Sequence, residues 1–497
     1  MARHGVYPRD VIPPRSEYFD SGRFGRMFGG LPPFSADTPQ ARKALLEIGK
    51  AGGIMDAADD LAAGPILLIT DPTKTANNSD NPTLTAGMTF FGQFLDHDMT
   101  LDTTSSLERQ VDPEMIANFR TPTLALDNIY GAGPGGSPHL YDHGATGQGI
   151  KLLIEETGTP GKQDLPRNSQ RVALIGDPRN DENLIVSQLQ LAFLKFHNRC
   201  VDMVRSDLGL TEPGAVFAEA QRIVRWHYQW IIVHEFLVKT CGKDVVDDVL
   251  TNGRKFYKWR HDPFIPVEFS VAAYRFGHSQ VRPSYRANFT GNSGGKPFFG
   301  MIFTPTPSNV KDPDDLSGGC RAKRRFVDWP TFFDFGDGNV RPNKKIDTTI
   351  STALFHLPGS VVSAPDPASN PSSLAQRNLL RHLTFSLPSG QRVAQAMKLP
   401  ILPRTELEML KPFGMDDRTP LWFYILREAA VHANGGERLG PVGGRIVTEV
   451  FIGLLQGDRS SYLSQDPDWQ PSLPTIDPAR QGDDFRIVDL LRYAGVA

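Results

Sequence analysis

Four short segments bring together side chains that could move protons or hold a metal. In Phe91-Gly-Gln-Phe-Leu-Asp-His-Asp98, helical spacing sets Gln93 and His97 one turn apart with Asp96 beside them. Phe90, Phe94 and Leu95 supply apolar walls, so His97 would sit in a half-dry pocket, where a neutral imidazole can take up a proton and return it. Gly176-Asp-Pro-Arg-Asn-Asp-Glu182 places Arg179 and Glu182 three residues apart at the head of a long apolar stretch. A guanidinium fixed there could stabilise charge developing on a reacting group. In Ala273-Tyr-Arg-Phe-Gly-His-Ser279, His278 stands alone among aromatic residues and Gly277, a setting in which a neutral ring nitrogen can bind a metal. Arg377-Asn-Leu-Leu-Arg381, leading to Leu387-Pro388, offers Asn378 as a partner for the other ring nitrogen of such a histidine. Taken singly, each has a plainer reading: a helix-capping Asp-His-Asp cluster, a solvated helix start, a satisfied core histidine.

The elements that must position these groups read as helices. Thr38 is an N-cap with Pro39 at the first helical position, and Leu45, Leu46 and Ile48 supply an apolar stripe. The next helix runs from about Thr83 to His97. A loop-rich region over about 99–180 gives way to a long buried helix in which Leu189, Phe193 and Phe196 lead to Val201, and a second spans about Pro213 to Thr240. There is no internal repeat and no run of βαβ units. The expected fold is mainly α, a large single-domain helical fold over 38–497 with long loops and little β. Residues 1–37, rich in Pro, Gly and Arg, are expected as an extended N-terminal arm with little regular structure.

Composition narrows the class. The 497 residues are 39% hydrophobic and 22% charged, enough to bury a large core. With 53 Lys and Arg against 56 Asp and Glu, there is no broad basic field to gather phosphates, so no nucleic-acid partner is expected. The cluster Arg321, Lys323, Arg324, Arg325 reads as a solvated turn. Cys200, Cys241 and Cys320 are widely spaced and form no C-x-x-C pair, which fits a reducing compartment. The N-terminus has no apolar core of the Sec type and no later stretch is long enough for a membrane span. The expected location is cytoplasmic, or outside the cell by a leaderless route.

Three motifs look chemical and fail on inspection. Gly131-Ala-Gly-Pro-Gly-Gly136 has no preceding apolar strand and no helix expected to start inside it, so it is no dinucleotide fingerprint. Gly294-Gly-Lys-Pro297 lacks the Ser or Thr of a phosphate loop. His234-Glu235 lacks a second His at Val238 and reads as a helix-surface pair.

Together, Gln-x-x-Asp-His-Asp, Gly-Asp-x-Arg-x-x-Glu with the later Phe196-His-Asn-Arg199, Arg-x-Gly-His, and Asn-x-x-Arg ahead of Leu-Pro resemble the animal-type haem peroxidase (peroxidase–cyclooxygenase) superfamily, in that order from Gln93 to Pro388. The resemblance implies haem b and a peroxidase that reduces hydrogen peroxide and oxidises a small-molecule electron donor or a halide through a ferryl intermediate. It implies His97 as distal acid and base, Arg179 as its partner, Gln93 as holder of distal water, His278 as the iron ligand and Asn378 as that ligand's anchor. Arg275 and Arg381 would face the haem propionates. Asp96 and Glu182 stand where relatives form ester links to the haem, and Asn183 stands where one subfamily has a haem-bonded methionine. The family's calcium site would draw on Asp98, Thr121 and Asp127, although Ala125 occupies a position where relatives carry an Asp.

Rival readings remain. A fatty-acid dioxygenase of the same superfamily uses a Tyr three residues before the proximal His, and here that residue is Arg275, with Tyr274 adjacent. A metal-dependent phosphohydrolase would need a His upstream of His97-Asp98, where only His4 is present. A non-catalytic binding protein on the same scaffold would be expected to have lost some of the set. The sequence leaves the electron donor and the oligomeric state open.

Overall fold

The computed structural model describes residues 22–101, 117–118, 122–158, 161–259, 262–290, 295–304, 314–319, 324–359, 361–362, 365–480 and 484–497. Helices dominate and the strands are short. We number the elements that matter for the site β1 (Gly22–Gly25), α1 (Pro39–Ile48), β2 (Asp80–Thr85), α2 (Ala86–Met99), β3 (Ala117–Asn118), α3 (Leu184–Ser206), α4 (Pro213–Ile231), β4 (Ile265–Pro266), β5 (Pro342–Lys344), α5 (Leu374–Thr384), α6 (Leu421–His432) and α7 (Pro441–Gly457).

Residues 22–37 depart from the expected irregular arm. β1 is the central strand of a three-stranded sheet, antiparallel to β3 and parallel to β4. Phe24 and Phe34 are buried, and the Glu268 carboxylate accepts from the amides of Met27 and Phe28 at 2.9 and 3.0 Å. Two anchored aromatic side chains and paired amides hold this segment to the body.

α1 begins as its sequence predicts, with the Thr38 hydroxyl accepting from the Ala41 amide at 3.2 Å and Pro39 in the first turn. It packs on α5 at a close approach. A Cβ on Gly49 would lie 2.7 Å from the Gln376 amide nitrogen, and Ser373 Oγ donates to the Gly49 carbonyl at 2.6 Å.

The helix expected from Thr83 starts three residues later. Thr83–Thr85 belong to β2, which pairs antiparallel with β5. Asn81 Oδ1 accepts from the amides of Thr83 and Leu84, a local turn that competes with helix at this point. α2 then has its first amides capped by the carbonyls of Arg341 and Phe332, at 2.9 and 2.8 Å.

α3 is capped by Asn183 Oδ1, which accepts from the Val186 amide at 2.9 Å. It packs against α2 through Phe94 and Phe193, stacked at 4.7 Å and 10°. Such a pair contributes about 0.5–1.5 kcal/mol beyond its buried area. α4 continues through a wide π turn at Ile232–Phe236 into a helix over Leu237–Cys241, so the stretch expected as a single helix to Thr240 is divided by that turn. A second wide turn, Glu268–Ala272, leads into the tight helical segment Ala273–His278. α6 and α7 pack behind that segment.

Two readings of the sequence are corrected here. A single helical turn, Gly133–Gly136, does form within the glycine-rich run, because Pro134 sits in a first turn where no amide donor is needed. Arg325 is no solvated turn residue. It is buried, with Nη1 donating to the Asp315 carbonyl at 2.6 Å and Nη2 to the Ser317 carbonyl, while Arg324 pairs with Asp314. Arg321, Lys323 and Cys320 lie outside the described residues. Among the described residues no helix is long and apolar enough to cross a membrane.

Candidate active site

His97 lies in the last turn of α2, 5% exposed, with Nδ1 2.6 Å from Asn180 Oδ1. The direction of that bond follows from a chain ending on the backbone. Gln190 Nε2 donates to the Asn128 carbonyl at 3.0 Å, which turns Gln190 Oε1 toward Asn180 Nδ2 at 2.7 Å. Asn180 Oδ1 is then the acceptor for the ring, so His97 carries its proton on Nδ1 and presents the Nε2 lone pair. Burial, with the Arg179 charge beside it, lowers the His97 pKa to about 4, so the ring is neutral at neutral pH.

Arg179 belongs to the turn Pro178–Asp181 ahead of α3. Asp177, fully buried, accepts from its amide at 2.9 Å, from Nε at 3.1 Å and from Nη2 at 2.8 Å. Nη2 also donates to the carbonyls of His97 and Thr100, at 3.2 and 2.5 Å. The guanidinium is thus fastened directly to the end of α2. Asp96 and Glu182 are both near enough to favour its charge. Gln93 Oε1 accepts from Asn183 Nδ2 at 3.2 Å, which ties α2 to the head of α3. A Cβ on Gly318 would overlap the Asp181 carbonyl, and the Gly318 amide donates to the Glu182 carbonyl at 2.9 Å, so a crossing strand of chain fixes the same turn.

On the other side, His278 ends the segment Ala273–His278. Its Nδ1 is 2.7 Å from Asn378 Nδ2 on α5, while Asn378 Oδ1 accepts from Arg275 Nη1 at 3.1 Å. Burial, with Arg275 adjacent, lowers the ring to about 3. Tyr274 donates its hydroxyl to the Gly92 carbonyl of α2 at 2.9 Å, joining the two histidine-bearing elements. Trp422 Nε1 of α6 donates to the Arg275 carbonyl at 3.1 Å. Arg381 lies one turn beyond Asn378 on α5 and is half-buried.

Between these elements the fold is hollow. Gln93, Asp96, Arg275 and His278 keep accessible surface and Glu182 is exposed, yet burial still raises the Glu182 carboxyl and lowers the His278 ring. Side chains that keep exposure yet have their charged forms disfavoured by burial line a recess between the two elements. A Cβ on Gly277 would meet nothing within 4 Å, so open space adjoins His278. Haem fits this donor set: a neutral histidine with a free Nε2 on one side, a neutral histidine and an arginine on the other, and cations at Arg275 and Arg381 for its carboxylates. Metal ligation through Nε2 needs a proton on Nδ1 and hence the Asn378 oxygen toward the ring. The amide must turn over and release Arg275.

Two of the three residues expected to hold calcium, Asp98 and Asp127, are among the described residues. Asp98 Oδ2 accepts from the Leu126 amide and the Tyr228 hydroxyl, both at 3.1 Å. The Ala125 carbonyl accepts from Arg225 Nε at 2.9 Å. Asp127 opens the short helix Asp127–Tyr130, and Thr121 lies outside the described residues. Among the described residues no three His, Cys, Asp or Glu gather as a metal site.

The sequence reading missed Asn180, Gln190, Asp177, Tyr228 and Arg225. Asp177 and Asn180 sat inside a quoted motif, but which neighbours of Arg179 turn inward depends on the turn geometry. Gln190 signalled itself as a polar residue in the apolar face of α3.

Residues 108–317 match the family model described as animal haem peroxidase, a stretch that includes Arg179, Glu182, Arg275 and His278. A peroxidasin homolog from Caenorhabditis briggsae is 25% identical over 381 residues, 69% of this chain and 27% of that protein. Peroxidase A from Dictyostelium discoideum superposes with a TM-score of 0.61 at 15% identity, covering 95% of this chain and 93% of that one. A fatty acid alpha-dioxygenase from Oryza sativa gives 0.51 at 14% identity, covering 88% and 82%. The family match over residues 108–317, this fold and this pair of histidines together support a likeness to the peroxidase–cyclooxygenase superfamily. It spans 14%, 27% and 34% of the length of three curated relatives it matches.

Proposed function

We propose that the protein is a haem peroxidase that reduces hydrogen peroxide and oxidises a small-molecule donor or a halide. The observation that carries this reading is a pair of amide-tethered histidines on elements joined by the Tyr274–Gly92 hydrogen bond: buried His97, 2.6 Å from Asn180 Oδ1, and half-buried His278, 2.7 Å from Asn378 Nδ2. His278 would hold the haem iron through Nε2, Arg275 and Arg381 its propionates. Bound there, the haem would supply the iron that accepts peroxide and the electrons that cleave its O–O bond.

The chain's own role is proton handling. His97 Nε2, neutral above about pH 4, takes the proton from the nearer peroxide oxygen and returns it to the farther one. Arg179, held rigidly by Asp177, stabilises charge on the departing oxygen without reorganising. Each effect is typically worth about 10²–10³ in rate. Gln93, steered by Asn183, is placed to hold a water in the same hollow. Asp96 and Glu182, both beside Arg179, are proposed as covalent attachment points for the haem.

The dioxygenase alternative needs a tyrosine whose hydroxyl faces the cavity. Arg275 stands at that place, and the Tyr274 hydroxyl is committed to the Gly92 carbonyl. A steady-state donor and halide screen with hydrogen peroxide on haem-loaded protein tests the proposal. Oxygen uptake with unsaturated fatty acids and no peroxide-driven donor oxidation would favour the dioxygenase instead.

A further inference from the structure

Arg286 ends the short strand Ser284–Arg286, which pairs antiparallel with Phe299–Met301. The residue before it, Tyr285, packs on Phe90 of α2 and on Phe332, with ring centroids 5.1 and 5.9 Å apart. The strand is seated on the head of α2, and its alternation turns Arg286 to the other face. His97 lies at the far end of that helix, about 16 Å from its first residue by the helical rise.

Arg286 carries a charge that the chain does not balance. Its guanidinium carbon sits 4.4 Å from the centroid of the Phe289 ring, and Nε is buried without a hydrogen-bond partner. Among the described residues it makes no ion pair, and Nη1 and Nη2 reach solvent without donating to any protein group. Burial and then the charge of Arg341 disfavour its ionised form, while Asp328 favours it. Asp328 is turned elsewhere, with Oδ2 accepting from the Phe289 amide at 2.9 Å and Oδ1 3.8 Å from Lys162 Nζ. Arg341 is exposed, and its backbone is fixed: the amide donates to the Thr331 carbonyl at 3.1 Å and the carbonyl caps α2 at Ala86.

Three cations, Arg286, Arg341 and Lys162, thus stand about one carboxylate whose oxygens are already engaged. A partly buried guanidinium without an acceptor has lost hydration that nothing replaces. An arginine with no further role would swing into water, whereas this one is held against Phe289 with its fork outward. That fork matches two oxygens of a phosphate or sulfate group, and a halide would use only one of its arms. Three cations less one carboxylate leave two positive charges, which suits a dianion.

We propose that Arg286, Arg341 and Lys162 form a binding site for a tetrahedral oxyanion, phosphate or sulfate, beside the head of α2 and apart from the two histidines. The site is independent of what those histidines catalyse.

The test uses the purified full chain dialysed into chloride buffer at pH 7.5. Isothermal titration calorimetry and thermal midpoints are measured with inorganic phosphate, with sulfate and with chloride at matched ionic strength. Phosphate and sulfate are expected to bind at about one equivalent per chain and to raise the midpoint by about 2 °C or more at saturation, because they prefer the folded state. Arg286→Gln/Arg341→Gln is expected to weaken that binding at least about tenfold. In chloride alone, Arg286→Gln should melt with the wild type or above it, since an unbalanced charge has gone. Glucose 6-phosphate binding as tightly as phosphate assigns the site to a group carried on a larger molecule, and binding of the inorganic ions alone assigns it to the free ion. Neither heat nor midpoint shift with phosphate or sulfate overturns the proposal. So does undiminished binding by the double variant, which would mean an adventitious ion only, or a marked fall in the Arg286→Gln midpoint, which would make the guanidinium a packing group. The wild-type titration decides without either variant.

Discussion

Asn180 Oδ1 meets His97 Nδ1 at 2.6 Å as an uncharged acceptor. It fixes the tautomer without adding the negative charge that would make the ring more basic, and the His97 pKa stays low at about 4. Replacing the amide by a carboxylate should change that. Asn180→Asp is expected to move the acid limb of the peroxide reaction upward, toward the ordinary imidazole range. Asn180→Leu should slow the reaction at least about tenfold while haem stays bound. Stopped-flow mixing with peroxide across pH 3.5–8 reads both. An Asn180→Asp profile superimposable on the wild type would remove Asn180 from the control of His97.

The two histidines should separate cleanly by mutation. His278→Ala removes the group assigned to the iron and is expected to lose most bound haem, whereas His97→Ala is expected to keep haem and lose reaction with peroxide. The ratio of Soret to protein absorbance after purification with haem supply measures the first, and stopped-flow the second. Equal haem content in His278→Ala and wild type would exclude the proximal assignment.

Arg179 is exposed to a different test, because it is structural as well as electrostatic. Its Nη2 holds the carbonyls of His97 and Thr100. Arg179→Ala is expected to react with peroxide about 10²-fold more slowly. Arg179→Lys should recover only a fraction of that, since an ammonium cannot reproduce the fork that grips Asp177. Rates within a few-fold of wild type for Arg179→Ala would take the residue out of the mechanism.

What the sequence disclosed and withheld follows from how local each feature is. The α1 start was legible because a Thr38 cap followed by Pro39 is decided within three residues. The α2 start was not: Thr83 fits a helix by pattern, but Asn81 captures its amide and β5, far along the chain, recruits it into a strand. His97, Arg179, His278 and Asn378 were legible because their motifs occur together and in order. Asn180 and Gln190 were hidden because the network runs through the Asn128 carbonyl, a partner that leaves no trace in residue type. Arg225 was hidden because it lies a hundred residues from the turn it grips.

Acid should destabilise the fold through its buried imidazoles. Burial lowers His97, His197, His227 and His382 to about 4 and His278 to about 3. In the unfolded chain these rings titrate near 6.5. Between roughly pH 6.5 and 4 the unfolded state therefore binds more protons than the folded one, and stability falls as pH is lowered through that window. Above it this contribution is constant. Burial also raises the carboxyls of Glu428 to about 8 and Asp347 to about 6, an opposite contribution gained as pH falls. Five lowered rings outweigh these two, so urea midpoints measured from pH 8 to 4 are expected to decline below about pH 6. A midpoint that rises on acidification through that window would contradict the burial of these rings.

Covalent attachment of the haem is the most demanding expectation. Asp96 and Glu182 approach the hollow from different elements, α2 and the head of α3, yet both bear on the same guanidinium of Arg179. Asp96 commits one oxygen to the Thr100 hydroxyl at 3.2 Å, and burial raises the Glu182 carboxyl, so neither is locked in an ion pair that esterification would have to break. An ester at each replaces a methyl C–H bond of the haem and a carboxyl O–H bond by a C–O bond, and hydrogen peroxide takes up the two electrons and two protons to become two waters. After repeated turnover, some of the haem is expected to survive acid-acetone extraction and to migrate with the polypeptide in a denaturing gel. Asp96→Ala/Glu182→Ala should release it all, and each single variant should keep one link. Full extraction from the wild type would contradict the attachment, and retention unchanged in the double variant would assign the bond to another residue.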